Sequence, residues 1–245
     1  MSIHDISAVL EIDSRSQISM KREAGLDINW KQRTAAMLWP KHSEFVNRLQ
    51  WRSRASRWFQ DHSDLPTFTH RFDLYHYVHK NFIGETPIDY LEFGVFEGAS
   101  MAEWLRLNDD PQSRFFGFDS FEGLPEDWGL MKKGFFDVKG DVPSITDPRV
   151  QFVKGWFQDS LPEFLKSYTP QARLIVHNDS DLYASTLYTL ANLDNSLTAG
   201  SVLVFDEFGS ARDEFRAMMD YLAAFWRKVK PVALTRDGQV AFVFE

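Results

Sequence analysis

Short apolar runs alternate with helix-like segments through the last two thirds of this 245-residue chain, and this alternation restricts its fold more than any other feature. Five of the runs have the length of buried strands, at residues 88–93, 115–118, 150–153, 174–177 and 201–205. Strands that alternate with helices predict a parallel, doubly wound sheet. Two further apolar runs flank Asp237-Gly238, which predicts a hairpin and an antiparallel C-terminal strand. The pattern therefore predicts an α/β fold around a mostly parallel, seven-stranded sheet.

The first third of the chain has a different pattern. From Ser43 onward, apolar residues recur at helical spacing, and a second helix is expected over residues 70–82. We therefore expect an N-terminal helical extension at residues 1–84 and a second domain at residues 85–245. Trp51, Trp58 and their neighbours carry more apolar surface than one small helix buries, which predicts a homodimer or a higher homo-oligomer.

Charge and composition exclude several classes of protein. The net charge is −8, but residues 1–84 hold 12 Lys and Arg against 9 Asp and Glu, so the remainder is strongly acidic. An acidic domain argues against nucleic-acid binding. The chain has no cysteine, which excludes disulfides and thiolate metal sites. No stretch approaches the ~18 apolar residues of a membrane span and no signal peptide is evident, so we expect a cytoplasmic protein without a membrane partner.

The end of the first strand predicts a ligand site. It breaks at Gly94 and Gly98 into a glycine-punctuated turn, which lets backbone approach a bound molecule. Glu92 and Glu97 would repel a pyrophosphate. The turn therefore favours a cationic or hydroxyl-bearing ligand.

The next two strand ends are compatible with a nucleoside. Asp119 stands where an acid accepts hydrogen bonds from the hydroxyls of a ribose, although Asp119 and Ser120 also suit a cap of the next segment. Trp156 and Phe157 could stack on a purine, or could equally be core residues.

The last two strand ends concentrate acids. Asp179 and Asp181 follow one strand, and Asp206 and Glu207 follow its neighbour. Four carboxylates at one rim repel each other unless a cation lies among them, and Mg²⁺ is the first candidate. The alternative is that the pair at 206–207 caps a helix and that the other pair lies in a solvated loop. We expect His177 to pack or to orient a neighbour.

These strand ends resemble, in order and across about residues 72–210, those of the macrocin O-methyltransferases, which are class I S-adenosylmethionine-dependent enzymes that modify sugars of macrolide and aminocoumarin natural products. The matching stretches are residues 90–98, 118–125, 155–162, 179–186 and 204–208.

The resemblance implies a Rossmann-like fold, S-adenosyl-L-methionine and Mg²⁺ as cofactors, and a hydroxylated, glycosylated small molecule as acceptor. It implies that Asp181 is the general base beside Asp179, and that Asp179, Asp206 and Glu207 hold the metal. The amino acid end of the cofactor would lie near Glu92, its ribose on Asp119 and its adenine near Trp156. The full set of implied cofactor-binding residues is Glu92, Gly94, Phe96, Glu97, Gly98, Ser100, Asp119, Ser120, Gly155, Trp156, Phe157 and Asp179.

The chain also departs from the family pattern. Glu207 stands where a second aspartate is common, and His177-Asn178 and Phe205 precede the acids, which indicates a side branch with a different acceptor. Two other functions stay open on the residues alone. One is a nicotinamide-dependent oxidoreductase, because Asp119 could hold its ribose, and the other is a non-catalytic, cofactor-binding interaction protein.

Overall fold

A computed structural model describes the backbone of this chain from residue 30 and its side chains from residue 44. The chain divides after Asn47 into two compact units, of which residues 48–245 form the larger one. The first 29 residues of the expected N-terminal extension lie outside the described part. The domain boundary at residue 84 stays a prediction.

One sheet of eight strands organises the larger unit. The strands are β1 (Thr67–Phe68), β2 (Ile88–Phe93), β3 (Arg114–Asp119), β4 (Val150–Lys154), β5 (Arg173–Asn178), β6 (Val202–Phe205), β7 (Val229–Thr235) and β8 (Val240–Phe244). Their spatial order is β1-β7-β8-β6-β5-β2-β3-β4. All pairs are parallel except β6–β8 and β7–β8, so the mostly parallel sheet with an antiparallel C-terminal strand is confirmed. The additional strand is β1, whose two residues are too few to show a periodicity.

Helices cover both faces of the sheet. They are α1 (Trp30–Asp61), α2 (Arg71–Val78), α3 (Ala99–Leu107), α4 (Phe157–Leu165), α5 (Tyr183–Leu193) and α6 (Glu214–Phe225). Helix α2 continues into one π-helical turn, His79–Ile83. Trp156 is the N-cap residue of helix α4, and the Ser160 hydroxyl donates to the Trp156 carbonyl. Among the described residues, no helix has the length and hydropathy of a membrane span.

The core has two layers because side chains alternate across the sheet. Leu91 and Phe93 of β2 point into the layer that holds α4, α5 and α6, whereas Tyr90 points into the layer that holds α2 and α3. Both faces of the central strands are therefore buried, as parallel sheets require.

Trp51, Trp58 and Phe59 of α1 pack in this core. The Trp58 ring lies 5.0 Å from the ring of Phe208, and Trp51 lies 6.3 Å from Phe215. Because Trp51 is buried and Trp58 half-buried within their own unit, these rings no longer argue for an oligomer. The homo-oligomer stays a prediction.

The strand order places a crevice beside β2. The chain runs from β2 outward to β3 and β4 on one side, and through β5 and β6 on the other. Loops that leave β2 and β5 in opposite directions open a cleft at the carboxyl ends of the strands.

A buried ion pair ties two strands below this cleft. Asp89 of β2 is fully buried, and Arg114 of β3 donates to it at 2.5 and 2.8 Å. We expect Arg114→Met to lower the free energy of unfolding by about 2–3 kcal/mol, because it leaves a buried carboxylate without its cation. Urea denaturation measures this. Lys166→Met, which removes the exposed partner of Glu163, is the control and should cost less than about 1 kcal/mol. Equal losses would contradict the prediction.

Candidate active site

A cavity of about 660 Å³ opens at the carboxyl ends of strands β2 to β6. This volume is typical of small-molecule sites. The sequence-predicted residues that line it are Glu92, Gly94, Phe96, Glu97, Ser100, Asp119, Ser120, Trp156, Phe157, Asp179, Asp181, Asp206 and Glu207. Gly98 and Gly155 were also predicted, and they do not line it.

The glycines of the first turn serve backbone packing. Gly94 has φ +92°, and a Cβ atom there would lie 1.8 Å from the carbonyl oxygen of Asp179. Gly98 precedes α3 with φ +80°, and a Cβ would meet Pro143 at 3.1 Å. The missing side chain of Gly94 therefore lets the loop after β2 lie directly against the loop after β5.

Asp119 shapes the same turn through its carboxylate. One oxygen accepts hydrogen bonds from the amides of Val95 and Phe96, at 2.8 and 2.9 Å, and the other accepts from the amide of Phe121 at 2.7 Å. The Ser120 hydroxyl accepts a hydrogen bond from the backbone amide of Glu122. These contacts match the local capping interpretation. A carboxylate oxygen has more than one acceptor position, so the ribose contact stays a prediction.

Trp156 and Phe157 form an aromatic wall of the cavity. Both are half-buried, and Phe157 meets Phe93 edge-on with ring centroids 5.4 Å apart. They therefore combine the two interpretations drawn from the sequence, since they pack on the core and also face the cavity. Their contact with adenine stays a prediction.

Two acids and a histidine converge where β5 and β6 end. One ligand atom from each of His177, Asp179 and Asp206 lies within 4.8 Å of the other two. Burial and the neighbouring Asp206 raise the pKa of Asp179 well above its usual value. Among the described residues, Glu207 is not part of any such three-residue group, so its role as a metal ligand stays a prediction.

His177 is held by two tyrosines. Its Nδ1 lies 2.9 Å from the hydroxyl of Tyr90, and its Nε2 lies 3.3 Å from the hydroxyl of Tyr75. The ring is fully buried. Both ring nitrogens already have partners, which is consistent with the expectation that His177 orients its neighbours.

Asp206 is surrounded by donors that the sequence did not reveal. Arg71 lies 3.5 Å from its Oδ1, and the Gln239 amide donates to the same oxygen. Burial alone would raise the pKa of Asp206, but His177, Arg71 and Gln239 outweigh it and lower the pKa. This acid therefore carries its charge even though it is largely enclosed.

Asp181 has a different environment. It is 8% exposed, and its carboxylate has no hydrogen-bond partner among the described residues. Burial first, and then the charges of Glu207 and Asp206, raise the pKa of Asp181 to about 7. Its backbone has φ +59°, a region that costs a non-glycine residue about 1–3 kcal/mol. Strain and burial thus hold a poorly solvated carboxylate at the cavity wall.

Glu214 connects the two acidic loops from beneath. It is fully buried at the start of α6, and its oxygens accept from the Asn178 amide and from the backbone amide of Glu207, each at 2.8 Å. Burial raises the pKa of Glu214 well above its usual value. One side chain therefore fixes the end of β5 relative to the end of β6.

Glu92 lies on β2, the strand beside β5, and its Oε1 is 3.8 Å from Nδ1 of His177. It is 1% exposed, and the Tyr90 hydroxyl donates to it at 3.1 Å. Burial raises the pKa of Glu92 well above its usual value, because little water reaches it to solvate a charge.

An apolar rim surrounds the mouth of the cavity. It consists of Phe96, Trp128, Met131 and Phe136. The Trp128 indole donates to Asp213 at 3.2 Å, which anchors the segment between β3 and β4 beside α6. The cavity thus has an acidic floor and an apolar rim.

Sequence reasoning missed Arg71, Tyr75, Glu214 and Gln239. No motif surrounds Arg71 or Tyr75, which reach the site from the helix before β2. Glu214 and Gln239 follow the acidic loops, but a single polar residue at the start of a helix or strand is too common to predict a site. Only the topology brings these residues together.

A protein-family comparison matches residues 141–232 to the family described as Macrocin-O-methyltransferase (TylF). The chain is 30% identical over 189 residues to the 8-demethyl-8-(2,3-dimethoxy-alpha-L-rhamnosyl)-tetracenomycin-C 4'-O-methyltransferase of Streptomyces olivaceus, an alignment that covers 64% of this chain and 69% of the relative. It is 27% identical over 173 residues to the demethyldecarbamoylnovobiocin O-methyltransferase of Streptomyces niveus, which covers 62% of this chain and 64% of the relative.

Solved structures show the same fold. The O-methyltransferase NovP superposes with a TM-score of 0.57 at 25% identity, over 71% of this chain and 78% of the other. The calicheamicin methyltransferase CalS11 superposes with a TM-score of 0.54 at 24% identity, over 71% and 77% of the two chains, and supports the fold alone.

The close approach at Gly94 is testable with alanine. Gly94→Ala should lower the free energy of unfolding by at least about 2 kcal/mol more than Gly200→Ala does, as measured by urea denaturation. Both glycines have a similar positive φ, but a Cβ at Gly200 would meet no atom within 4 Å. The matched control therefore separates the clash with Asp179 from the backbone strain. Equal losses at the two positions would show that the contact has no such cost.

Proposed function

The chain belongs to the macrocin O-methyltransferase family of S-adenosylmethionine-dependent O-methyltransferases, and from this premise we propose that it methylates, with Mg²⁺, a hydroxyl of a sugar or other diol-bearing small molecule. The observation that carries the proposal is the convergence of Asp179, Asp181, Asp206 and Glu207 on one cavity. A cavity of this kind suits a cationic methyl donor and a hydroxylated acceptor.

The residues of the cavity fit the methyl donor. Its volume of about 660 Å³ holds a nucleoside with an amino acid tail. We propose that Trp156 and Phe157 contact the adenine, that Asp119 accepts from the ribose, and that Glu92 lies near the amino acid end. When bound, the donor supplies a sulfonium methyl group, and the surrounding carboxylates favour its positive charge over the neutral product.

The same cavity fits a hard cation. Asp179 and Asp206 offer carboxylate oxygens, which Mg²⁺ prefers, and burial makes their mutual repulsion costly without a cation between them. We propose both as ligands, with Glu207 as a third whose longer side chain reaches from the next position. When bound, Mg²⁺ would lower the pKa of an acceptor hydroxyl.

Asp181 is the proposed general base. A base works best when its pKa lies near the operating pH, and the pKa of Asp181 is raised to about 7. Because its carboxylate has no other hydrogen-bond partner among the described residues, it is free to accept the proton of an acceptor hydroxyl. Glu214 keeps the loops of Asp181 and Glu207 in register while this happens.

The names of the relatives support the proposed class of acceptor. The two relatives named above are O-methyltransferases of a rhamnosyl-tetracenomycin and of demethyldecarbamoylnovobiocin. We propose that the apolar rim of Phe96, Trp128, Met131 and Phe136 receives the hydrophobic part of a glycosylated acceptor, while the sugar reaches the acidic floor. A screen of glycosylated small molecules with labelled methyl donor identifies the acceptor. We also propose that the protein acts in the cytoplasm.

The cavity argues against the other functions that the sequence left open. The pyrophosphate of a nicotinamide cofactor would meet Glu92, Glu97 and Asp119 at the first two strand ends. A purely non-catalytic protein would have no use for a strained, buried carboxylate whose pKa is raised to about 7, as at Asp181, and family membership favours the enzyme.

Replacing the proposed base separates binding from chemistry. Asp181→Asn keeps the shape of the side chain but cannot accept the proton, so turnover of the acceptor found in the screen should fall about 10²–10⁴-fold. Calorimetry should find the affinity for S-adenosylmethionine within about threefold of wild type. Ser210→Ala, outside the cavity lining, is the control for substitution in this region. Full activity of Asp181→Asn would exclude this residue as the base.

Removing the metal tests the second part of the proposal. Dialysis against a chelator should abolish methyl transfer, and added Mg²⁺ should restore it. The Asp206→Asn variant should need a much higher Mg²⁺ concentration for half of its maximal rate, because it loses a charged ligand. The measurement is initial rate against free Mg²⁺. Unchanged activity in the chelator would remove the metal from the mechanism while leaving methyl transfer intact.

A further inference from the structure

The charges on the cavity wall are unbalanced. Seven acids line the cavity, namely Glu92, Glu97, Asp119, Asp179, Asp181, Asp206 and Glu207. Among the described residues, Arg71 is the one basic side chain that lines it. This guanidinium is informative because, apart from a bound metal ion, it is the positive partner that the described part of the wall offers to an anionic group of a ligand.

Arg71 retains most of its hydrogen-bonding capacity. It is the first residue of α2, its side chain is 33% exposed, and its contact with Asp206 is a long one of 3.5 Å. A guanidinium carries five N–H donors. No other hydrogen bond from this side chain is found within the described residues. Because Arg71 lines the cavity, its remaining donors are available to a ligand there.

Arg71 lies at the same end of the cavity as Glu92. One helical turn after Arg71, Tyr75 lies 3.3 Å from the hydroxyl of Ser100, at the first turn of α3, and 3.3 Å from His177. Through Tyr90, the same histidine is linked to Glu92. Ser100 and Glu92 thus belong to one hydrogen-bond network that begins one turn after Arg71, and Arg71 is near enough for its charge to act on Glu92. This part of the cavity wall therefore offers an acidic and a basic side chain.

The amino acid end of the methyl donor needs both charges. It is a zwitterion with an ammonium and a carboxylate, and a carboxylate placed among acids without a cation would be strongly disfavoured. Glu92 suits the ammonium, and a guanidinium suits the carboxylate through paired N–H donors.

We propose that Arg71 binds the carboxylate of S-adenosylmethionine, and so selects a methyl donor with an intact amino acid end. This inference rests on the proposed function. It gives a role in ligand binding to Arg71, which is the one basic side chain that the described residues contribute to the cavity wall and which lies in a helix outside the strand-end motifs.

The test compares two methyl donors in calorimetry, S-adenosylmethionine and its decarboxylated analogue, at one fixed Mg²⁺ concentration. Arg71→Met should weaken S-adenosylmethionine about 10- to 100-fold, which is the range for a charge-assisted hydrogen-bonded pair. The same substitution should leave the decarboxylated analogue unchanged or bound more tightly, since it removes a positive charge near a ligand that lacks the carboxylate. Arg71→Lys should give an intermediate loss with S-adenosylmethionine, because the charge remains but the paired geometry is lost.

Arg57→Met is the matched control, because it removes an exposed arginine of α1 outside the cavity lining and should change neither affinity. If Arg71→Met changes both ligands by the same factor, the residue acts on the cavity in general and the proposal is wrong. If it leaves S-adenosylmethionine affinity intact and raises only the KM of the acceptor, the guanidinium serves the acceptor instead and the proposal is again overturned. If the wild-type protein binds neither ligand, the proposed function itself fails, and that result is distinct from either of these.

Discussion

Repulsion between carboxylates at one edge of the sheet is the constraint on which the site depends. Asp179 and Asp206 end neighbouring parallel strands, and the pairing of β5 with β6 brings their ligand atoms together. The chain does not avoid this arrangement. Instead it brings Arg71 from a helix before the first central strand and Gln239 from the last hairpin to the same oxygen of Asp206. Elements that are distant in the sequence thus supply the donors that offset the repulsion within one cluster of acids.

The surroundings give chemically identical groups different properties. Hydrogen-bond donors and positive charges lower the pKa of Asp206, so it stays ionised. Burial and the charge of Asp206 raise the pKa of Asp179 and favour its protonated form. Burial and the neighbouring acids raise the pKa of Asp181 to about 7. Three aspartates within two loops therefore differ in how readily each gives up a proton. A site needs such differences in pKa if one acid is to hold a cation while another exchanges a proton.

Much of this could be predicted from the sequence, for a physical reason. The alternation of apolar runs fixed the parallel sheet, and the rule that ligands bind at the carboxyl ends of such strands brought the acids of separate segments to one rim. Asp119 and Gly94 were predicted to contact a ligand. The structure adds that the Asp119 carboxylate accepts hydrogen bonds from backbone amides, and that Gly94 lets two loops lie against each other. Arg71 and Glu214 could not be predicted, because their roles arise from distances across the fold and not from any neighbouring residue.

The position of β8 has a consequence for the order of assembly. This strand follows β6 and β7 in the sequence, yet it lies between them and supplies the pairing that joins β7 and β1 to the rest of the sheet. Until β8 is in place, β6 has an open edge, and edges of that kind invite pairing with other chains. The sheet therefore cannot form by adding these strands in their sequence order. A change that prevents β8 from pairing removes an interior strand, and with it the connection of β7 and β1 to the sheet.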